Sequence, residues 1–176
     1  MDEIELKILE INIKQIDKKI LALGGVKKGK FFVKSESYDF SNKLIKEKNE
    51  LLRLRQVGDK VELTYKQHGR KEGKFKVCNE LEINPSNFKK TKEILNALDL
   101  KTQNYWEKYR TSYVLGNVKL EIDELPGIPP FLELEGDKCD IEKTVKLLGF
   151  SMKDTTNYAF KKVLKKYNKD IHNLKF

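Results

Sequence analysis

The feature that most constrains this chain is a series of short segments in which charged and apolar residues alternate with a period of two. Glu3-Ile4-Glu5-Leu6-Lys7-Ile8 alternates strictly. Leu52-Arg53-Leu54-Arg55, Glu80-Leu81-Glu82-Ile83, Leu120-Glu121-Ile122-Asp123 and Leu132-Glu133-Leu134-Glu135 repeat the pattern, and Lys108 and Arg110 stand two apart. On a strand, residues i and i+2 point to the same side, so each segment has one charged and one apolar face. A half-solvated sheet also alternates, but its outward positions usually mix in Ser, Thr, Gln and Asn. Here the charges come in pairs and their signs are largely segregated by strand, a repulsion from which a sheet gains nothing. A ligand that is both polyanionic and metal-bound would reward it. Paired carboxylates hold Mg²⁺ or Mn²⁺, and arginine and lysine clamp phosphate oxygens. Such a face can be kept inside a wide barrel, with the apolar faces turned outward beneath helices.

The rest of the chain supplies those helices. Ile13, Ile16, Ile20 and Leu23 share one face of a helix expected over 11–23, stopped by Gly24-Gly25. A second helix begins at Pro85-Ser86-Asn87, with Phe88, Thr91, Leu95 and Leu98 at helical spacing. Asp140 is read as the cap of a short helix ending at Leu148-Gly149, and a final helix is expected over about 155–169 with Phe160, Val163, Leu164 and Tyr167 inward. Further strands are expected at 31–33, 38–40, 51–55, 61–66, 75–83, 106–114, 118–123 and 131–135, with loops over 41–50 and 68–74. The segments Glu3-x-Glu5, a helix and Arg53-x-Arg55 are echoed by Glu80-x-Glu82, a helix and Lys108-x-Arg110. That echo suggests two β-α-β-β-like halves around one cavity.

A chain of 176 residues can bury a core as a single domain over 1–176. With 36% charged residues it is polar, yet apolar and aromatic residues recur to the end, which excludes disorder. Cys78 and Cys139 read as buried or half-buried free thiols of a reducing compartment, and no histidine stands at zinc-ligand spacing. Met1-Asp2-Glu3 opens without a signal-peptide pattern and no apolar run reaches membrane-spanning length, so a cytoplasmic protein with no membrane partner is expected. The net charge of +9 invites a nucleic-acid reading. The lysines of the tail are equally a solvated helix face, so nucleic acid is not the expected partner. His68 and His172 read as surface residues.

Together these segments resemble the CYTH superfamily, which includes class IV adenylyl cyclases (CyaB type), thiamine triphosphatases and inorganic triphosphatases. Glu3-Ile4-Glu5-Leu6-Lys7 matches its ExExK signature, and the later charged segments, with Leu63-Thr64-Tyr65-Lys66, follow in the family's order over about residues 1–160. The resemblance implies an α+β triphosphate tunnel: an eight-stranded antiparallel β-barrel with helices packed outside. It implies that Glu3, Glu5, Glu133 and Glu135 bind Mg²⁺ or Mn²⁺, with Asp123 and its neighbour Glu121 near metal or water. Lys7, Arg53, Arg55, Lys66, Lys108 and Arg110 would bind the phosphates, and Lys7, Arg55 and Asp123 are the expected catalytic residues. Glu80 and Glu82 face the tunnel by pattern without an assigned role. Lys153 or Lys161 could supply a further lysine near the C-terminal helix. A homodimer is compatible with the resemblance, and no sequence feature demands one.

Two reactions fit such a clamp. In a class IV adenylyl cyclase-like enzyme, the ribose hydroxyl of ATP attacks the α-phosphorus and pyrophosphate leaves with formation of cyclic AMP. In a triphosphatase, water attacks the terminal phosphorus of tripolyphosphate, thiamine triphosphate or a nucleotide. The two differ in which phosphorus meets the nucleophile and in whether a base pocket exists; Phe31, Phe32, Tyr38, Phe40, Tyr65 and Tyr105 are candidates for stacking. A third reading is a binding module that holds polyphosphate or nucleic acid without acting on it.

Overall fold

The computed structural model describes residues 2–176, apart from the side chains of Asp2 and His68. The chain runs β1 (Asp2–Ile8), α1 (Ile13–Ala22), β2 (Val26–Asp39), α2 (Leu44–Glu47), β3 (Leu51–Val57), β4 (Lys60–Glu72) and β5 (Phe75–Ile83). It continues with α3 (Phe88–Ala97), β6 (Lys101–Leu115), β7 (Val118–Glu124), β8 (Phe131–Glu135), α4 (Lys138–Leu147), β9 (Thr155–Thr156), α5 (Phe160–Lys166) and β10 (Asn173–Leu174). Strands pair in the order β6-β2-β3-β4-β5-β1-β8-β7, and β7 pairs back to β6. All of these pairs are antiparallel, so eight strands close a barrel.

The two halves anticipated from the sequence are visible in the order of elements: β1-α1-β2-β3-β4 and β5-α3-β6-β7-β8. Each carries one strand more than expected. The equivalent strands β1 and β5 pair with each other, as do β2 and β6, so neither half closes alone.

Closure removes open sheet edges and forces each strand to choose an inside and an outside. The apolar residues mostly go outside. Leu6, Ile8, Leu120, Ile122, Leu132 and Leu134 pack with Ile16, Ile20, Ile141 and Val145 beneath α1 and α4. Leu54 and Val61 pack with Tyr38, Ile45 and Leu95 beneath α2 and α3. Trp106 and Phe131 instead share the inward face of their strands with Lys108 and Glu133, and pack with Val163 and Leu164 of α5. Leu81 and Ile83 are the exception on β5: they face outward but stay 57% and 62% exposed.

Helix limits follow local chemistry. Asn12 and Asn87 cap α1 and α3 by accepting from the backbone N–H of Gln15 and Lys90. Gly24, at φ 84°, ends α1 in the left-handed conformation that glycine tolerates best. Replacing Asn87 by alanine leaves the orphan N–H groups of α3 uncapped; an equilibrium urea titration should show about 1 kcal/mol of lost stability.

Several expectations need correction. The two strands expected at 31–33 and 38–40 are one, β2, because the polar residues between them, Ser35, Glu36 and Ser37, are buried within a strand. The stretch 68–74 is not a loop: β4 runs on to Glu72 and turns at Gly73, φ 59°, into β5. The loop over 41–50 contains α2, and β6 starts at Lys101 instead of Trp106. Asp137, not Asp140, is the N-cap residue of α4. The final helix runs Phe160–Lys166, with β9 at its expected beginning just after a 3₁₀ turn (Met152–Asp154), and Cys139, expected to be at least half-buried, is exposed on α4. The reading of the N-terminus starts at Met1, outside the described residues, and that of His68 concerns a side chain outside them. Among the described residues no helix is long and apolar enough to cross a membrane.

Candidate active site

The bore of the barrel is a cavity of about 720 Å³ lined from all eight strands. Alternation places Glu3, Glu5 and Lys7 of β1, Arg53 and Arg55 of β3, and Glu62 and Lys66 of β4 on its wall. Cys78, Glu80 and Glu82 come from β5, Lys108 and Arg110 from β6, Glu121 from β7, and Glu133 and Glu135 from β8. Of the twelve residues nominated as catalytic, phosphate-binding or metal-binding, all but Asp123 line this cavity. Asp123 is fully buried behind it, and both its oxygens are taken: Arg110 Nε and Nη2 donate at 2.7 Å each and Lys108 Nζ at 2.7 Å.

The charges form a continuous network. Lys7 Nζ lies 3.1 Å from Glu5 and 3.1 Å from Glu133. Arg110 bridges Asp123, Glu121 and, at 3.6 Å, Glu133. On the other side Lys66 joins Glu3 to Glu80, the latter at 2.7 Å, and Arg55 pairs with Glu62. Arg53 donates to Thr64 Oγ1 at 3.3 Å, while its buried Nε has no hydrogen-bond partner among the described residues. An orphaned guanidinium N–H beside a cavity is an available phosphate donor.

Burial and neighbouring charge pull against each other throughout. Burial disfavours the Lys7 ammonium, but Glu133 and Glu5 outweigh it and hold the group above the usual lysine range. For Lys108, burial and then Arg110 win over Asp123 and Glu133, and its pKa drops to about 8. Burial and Arg55 bring Arg53 down to about 10, so it stays charged at neutral pH. Burial alone would raise Glu133, yet Lys7, Arg110 and Lys108 hold it well below the carboxylate range; Asp123 is lowered likewise, against burial, by Arg110 and Lys108. Glu135 goes the other way: burial, with Glu3 and Glu121 nearby, raises it despite Lys119. Burial and Glu3 push the Cys78 thiol up to about 12, in keeping with an inert thiol.

The donor set suits a hard divalent cation. Glu5 stands directly opposite Glu135, and Glu121 opposite Glu133, in adjacent strands. Like charges so placed repel, and a divalent cation held between them would offset that. Oxygen ligands of this kind fit Mg²⁺ or Mn²⁺. Glu3, Glu5, Glu121, Glu133 and Glu135 are the candidates, and each already has a cationic neighbour: Lys66 for Glu3, Lys7 and Lys76 for Glu5, Arg110 and Lys119 for Glu121, Lys7 and Arg110 for Glu133, and Lys119 for Glu135. Glu3 and Glu80 also bring an oxygen each within 4.8 Å of one another and of the Cys78 sulfur, but Lys66 already sits between the two carboxylates.

Other wall residues escaped the sequence reading. Lys76, 2.8 Å from Glu5, and Lys119, 3.3 Å from Glu121 and Glu135, add to the cationic lining. Carrying the alternation two residues beyond Cys78 and Glu121 would have found them. Of the six aromatics nominated for stacking only Tyr38 reaches the cavity; its other aromatic lining is Trp106 and Phe160. Lys161 lines the mouth and Lys153 does not, while His172, although exposed, sits on the rim.

Comparison with known proteins places this architecture. A family model described as the CYTH domain matches residues 1–157. No match was found among curated protein sequences. Among solved structures, the PH1012 protein from Pyrococcus horikoshii OT3 is 26% identical, with a TM-score of 0.73 over 90% of this chain and 96% of its own. A candidate adenylate cyclase from Vibrio parahaemolyticus shares the fold at 15% identity, with a TM-score of 0.79 over 93% of this chain and 97% of its own. A candidate adenylyl cyclase from Hippeastrum, HpAC1, described with a dominant triphosphatase activity, shares it at 15% identity, with a TM-score of 0.64 over 96% of this chain and 97% of its own. With the family model covering most of its length and the closed barrel behind it, the chain belongs to the CYTH family.

Proposed function

We propose that this protein is a metal-dependent enzyme acting on a triphosphate held in the barrel, in the manner of a class IV adenylyl cyclase that converts ATP to cyclic AMP and pyrophosphate. The observation that supports it most is the convergence of cations and paired carboxylates from seven of the eight barrel strands on one cavity. CYTH proteins are in general triphosphate-acting enzymes that use divalent metal.

In this reading Arg53, Arg55 and Lys66 grip the phosphates from one wall and Lys7, Lys108 and Arg110 from the other. Glu3, Glu5, Glu133 and Glu135, with Glu121, would hold the metal. Bound there, Mg²⁺ or Mn²⁺ would lower the pKa of the attacking hydroxyl and neutralise phosphate charge. Asp123 acts at one remove, by fixing Arg110 and Lys108 in direction. Charge that develops on the transferred phosphoryl group and the leaving oxygen falls on preset guanidinium and ammonium groups, and the hydroxyl proton passes to the carboxylate wall.

The second reading, a triphosphatase, uses the same clamp with water as nucleophile. Its support is that the clamp is complete within the barrel strands and needs nothing from the mouth. Product analysis separates the two. The protein is incubated with Mg²⁺ or Mn²⁺ and ATP, tripolyphosphate or thiamine triphosphate, and products are resolved by chromatography and phosphorus NMR. Cyclic AMP with pyrophosphate is the expected result, and orthophosphate without cyclic AMP would replace it with the triphosphatase. A chelator should abolish turnover in either case; turnover that survives it would sink the metal assignment.

A further inference from the structure

Two rings that the sequence nominates for base stacking, Phe32 and Tyr105, lie outside the cavity. In the β2–β6 pair Phe32 stands opposite Tyr109, Lys34 opposite Glu107 and Glu36 opposite Tyr105. Val33 and Lys108 between them line the bore, so alternation turns these three pairs to the outer face of the barrel. The segment after residue 157, beyond the family match, builds on the same face. There β10 lies parallel to β6, with Asn173 beside Tyr105 and Leu174 beside Trp106. It delivers Phe176, whose backbone N–H donates to Glu107 Oε2 at 3.0 Å.

Phe32, Tyr109 and Phe176 form a triangle of rings. Their centres are 5.1 Å apart for Phe32 and Tyr109, 5.0 Å for Tyr109 and Phe176, and 6.3 Å for Phe32 and Phe176. The rings are tilted, not stacked, so they do not cover one another's faces. None of the three belongs to the core clusters beneath the helices, and Tyr109 and Phe176 are 40% and 61% exposed. Cations fringe them. Lys30 Nζ lies 5.2 Å from the centre of Tyr109, Lys34 Nζ 5.8 Å from that of Phe32 and Lys175 Nζ 4.9 Å from that of Tyr105. The acids of the face are engaged: Glu124 with Lys30 at 2.7 Å, Glu36 with Lys92 at 2.8 Å, and Glu107 with the Tyr105 hydroxyl and Phe176 N–H. Lys34 and Lys175 have no ion pair among the described residues. The run Lys27-Lys28-Gly29-Lys30-Phe31-Phe32-Val33-Lys34, which holds no acid, is the source of this basic, aromatic strand.

Charge and rings together decide what fits there. A second copy carries the same net charge of +9 and would bring lysine against lysine. An acidic peptide meets the lysines and leaves the rings in water. A duplex keeps its bases stacked on one another. A single strand offers phosphates to the lysines and free base faces to the rings.

We propose that the outer β2–β6 wall docks single-stranded nucleic acid, with Phe32, Tyr109 and Phe176 as base platforms and Lys30, Lys34 and Lys175 as phosphate partners. The expectation against nucleic acid concerned the helical lysines of the tail, which are not part of this wall. The proposal is independent of the triphosphate clamp inside the barrel.

The test is fluorescence anisotropy of a labelled oligodeoxythymidylate of about twelve nucleotides, titrated with the whole protein in the presence of a chelator. Its 5′ end is a hydroxyl, so the tunnel is offered neither metal nor a terminal phosphate. Binding that weakens steeply with salt is expected. Tyr109→Ala and, separately, Phe176→Ala should each weaken it about tenfold, the value of one lost base–ring stack, and Lys34→Ala should lower the salt slope by about 0.7. Phe176, on the exposed tail, can be truncated with little risk to the barrel, and thermal melting by circular dichroism verifies the fold of each variant. Absence of binding by the wild type would overturn the proposal. So would displacement by tripolyphosphate at equal ionic strength with both ring variants unaffected, which would put the oligomer in the tunnel. Equal affinity for a duplex of the same length, again with no effect of the ring variants, would reduce the wall to unspecific charge. A dimer in sedimentation velocity that Tyr109→Ala dissolves would assign the wall to a second copy. Tripolyphosphate binding by the wild type with Mg²⁺, measured alongside, tests the clamp alone.

Discussion

Arg55→Ala should reduce turnover of the triphosphate substrate by about a thousandfold while the barrel stays folded. Arg55 projects from β3 into the cavity and pairs with Glu62, opposite it on β4. Neither side chain is sealed from the bore: they are 13% and 15% exposed and both line the cavity. Loss of the guanidinium therefore leaves Glu62 facing a water-accessible space, where an unpaired carboxylate is tolerated. The structural cost is small. The catalytic cost is large, because a positioned guanidinium opposes charge that grows only as the phosphoryl group transfers. Arg53, on the same face of β3, has its own position to hold. Steady-state kinetics beside circular dichroism checks this; near-wild-type turnover in a folded variant would remove Arg55 from the clamp. Glu133→Ala should also stop turnover, but with visible loss of stability, since Lys7 and Arg110 both lean on Glu133.

That contrast marks what the sequence made legible and what it did not. Strand alternation is a strictly local signal, and it sorted Arg53, Arg55, Glu133 and Glu135 onto the inner wall without knowledge of any neighbour. It worked because like-charged pairs at i and i+2 are costly on an ordinary sheet and so stand out. The same signal fails where the inner wall is neutral. Ser35, Ser37 and Asn104 carry no charge, so β2 read as two fragments and its cavity face was missed. Partner assignments are also beyond a local pattern: Asp123 reads like Glu133, and only the pairing of β7 with β6 shows both its oxygens taken up by Arg110 and Lys108. Lastly, the tail read as a solvated lysine helix because nothing in Phe160 or His172 announces that β10 docks on β6. Long-range pairing of a two-residue strand leaves no periodicity to read.

Asp123→Ala should cost about 3–5 kcal/mol of folding stability, more than a typical surface or cap substitution. Asp123 is fully buried and is the shared partner of Arg110 and Lys108. Deleting it leaves two buried cations with less compensation, and removing one member of a buried ion network is far costlier than replacing the whole network with apolar residues. Urea unfolding should show a lower midpoint with the slope unchanged. The pH dependence gives an independent check. Arg110 and Lys108 outweigh burial and lower the folded-state pKa of Asp123, and Lys7, Arg110 and Lys108 lower that of Glu133. A carboxyl with a depressed folded pKa contributes its full stabilisation above the unfolded pKa of about 4 and loses it as pH falls from there through the folded value. Wild-type stability should therefore drop on acidification below about pH 4, with proton uptake on unfolding. The gap between wild type and Asp123→Ala should narrow over the same range, because the variant has one such carboxyl fewer to protonate. A gap under about 1 kcal/mol at neutral pH, or one that stays constant down the acid limb, would mean that Asp123 does not anchor Arg110 and Lys108 in the folded barrel.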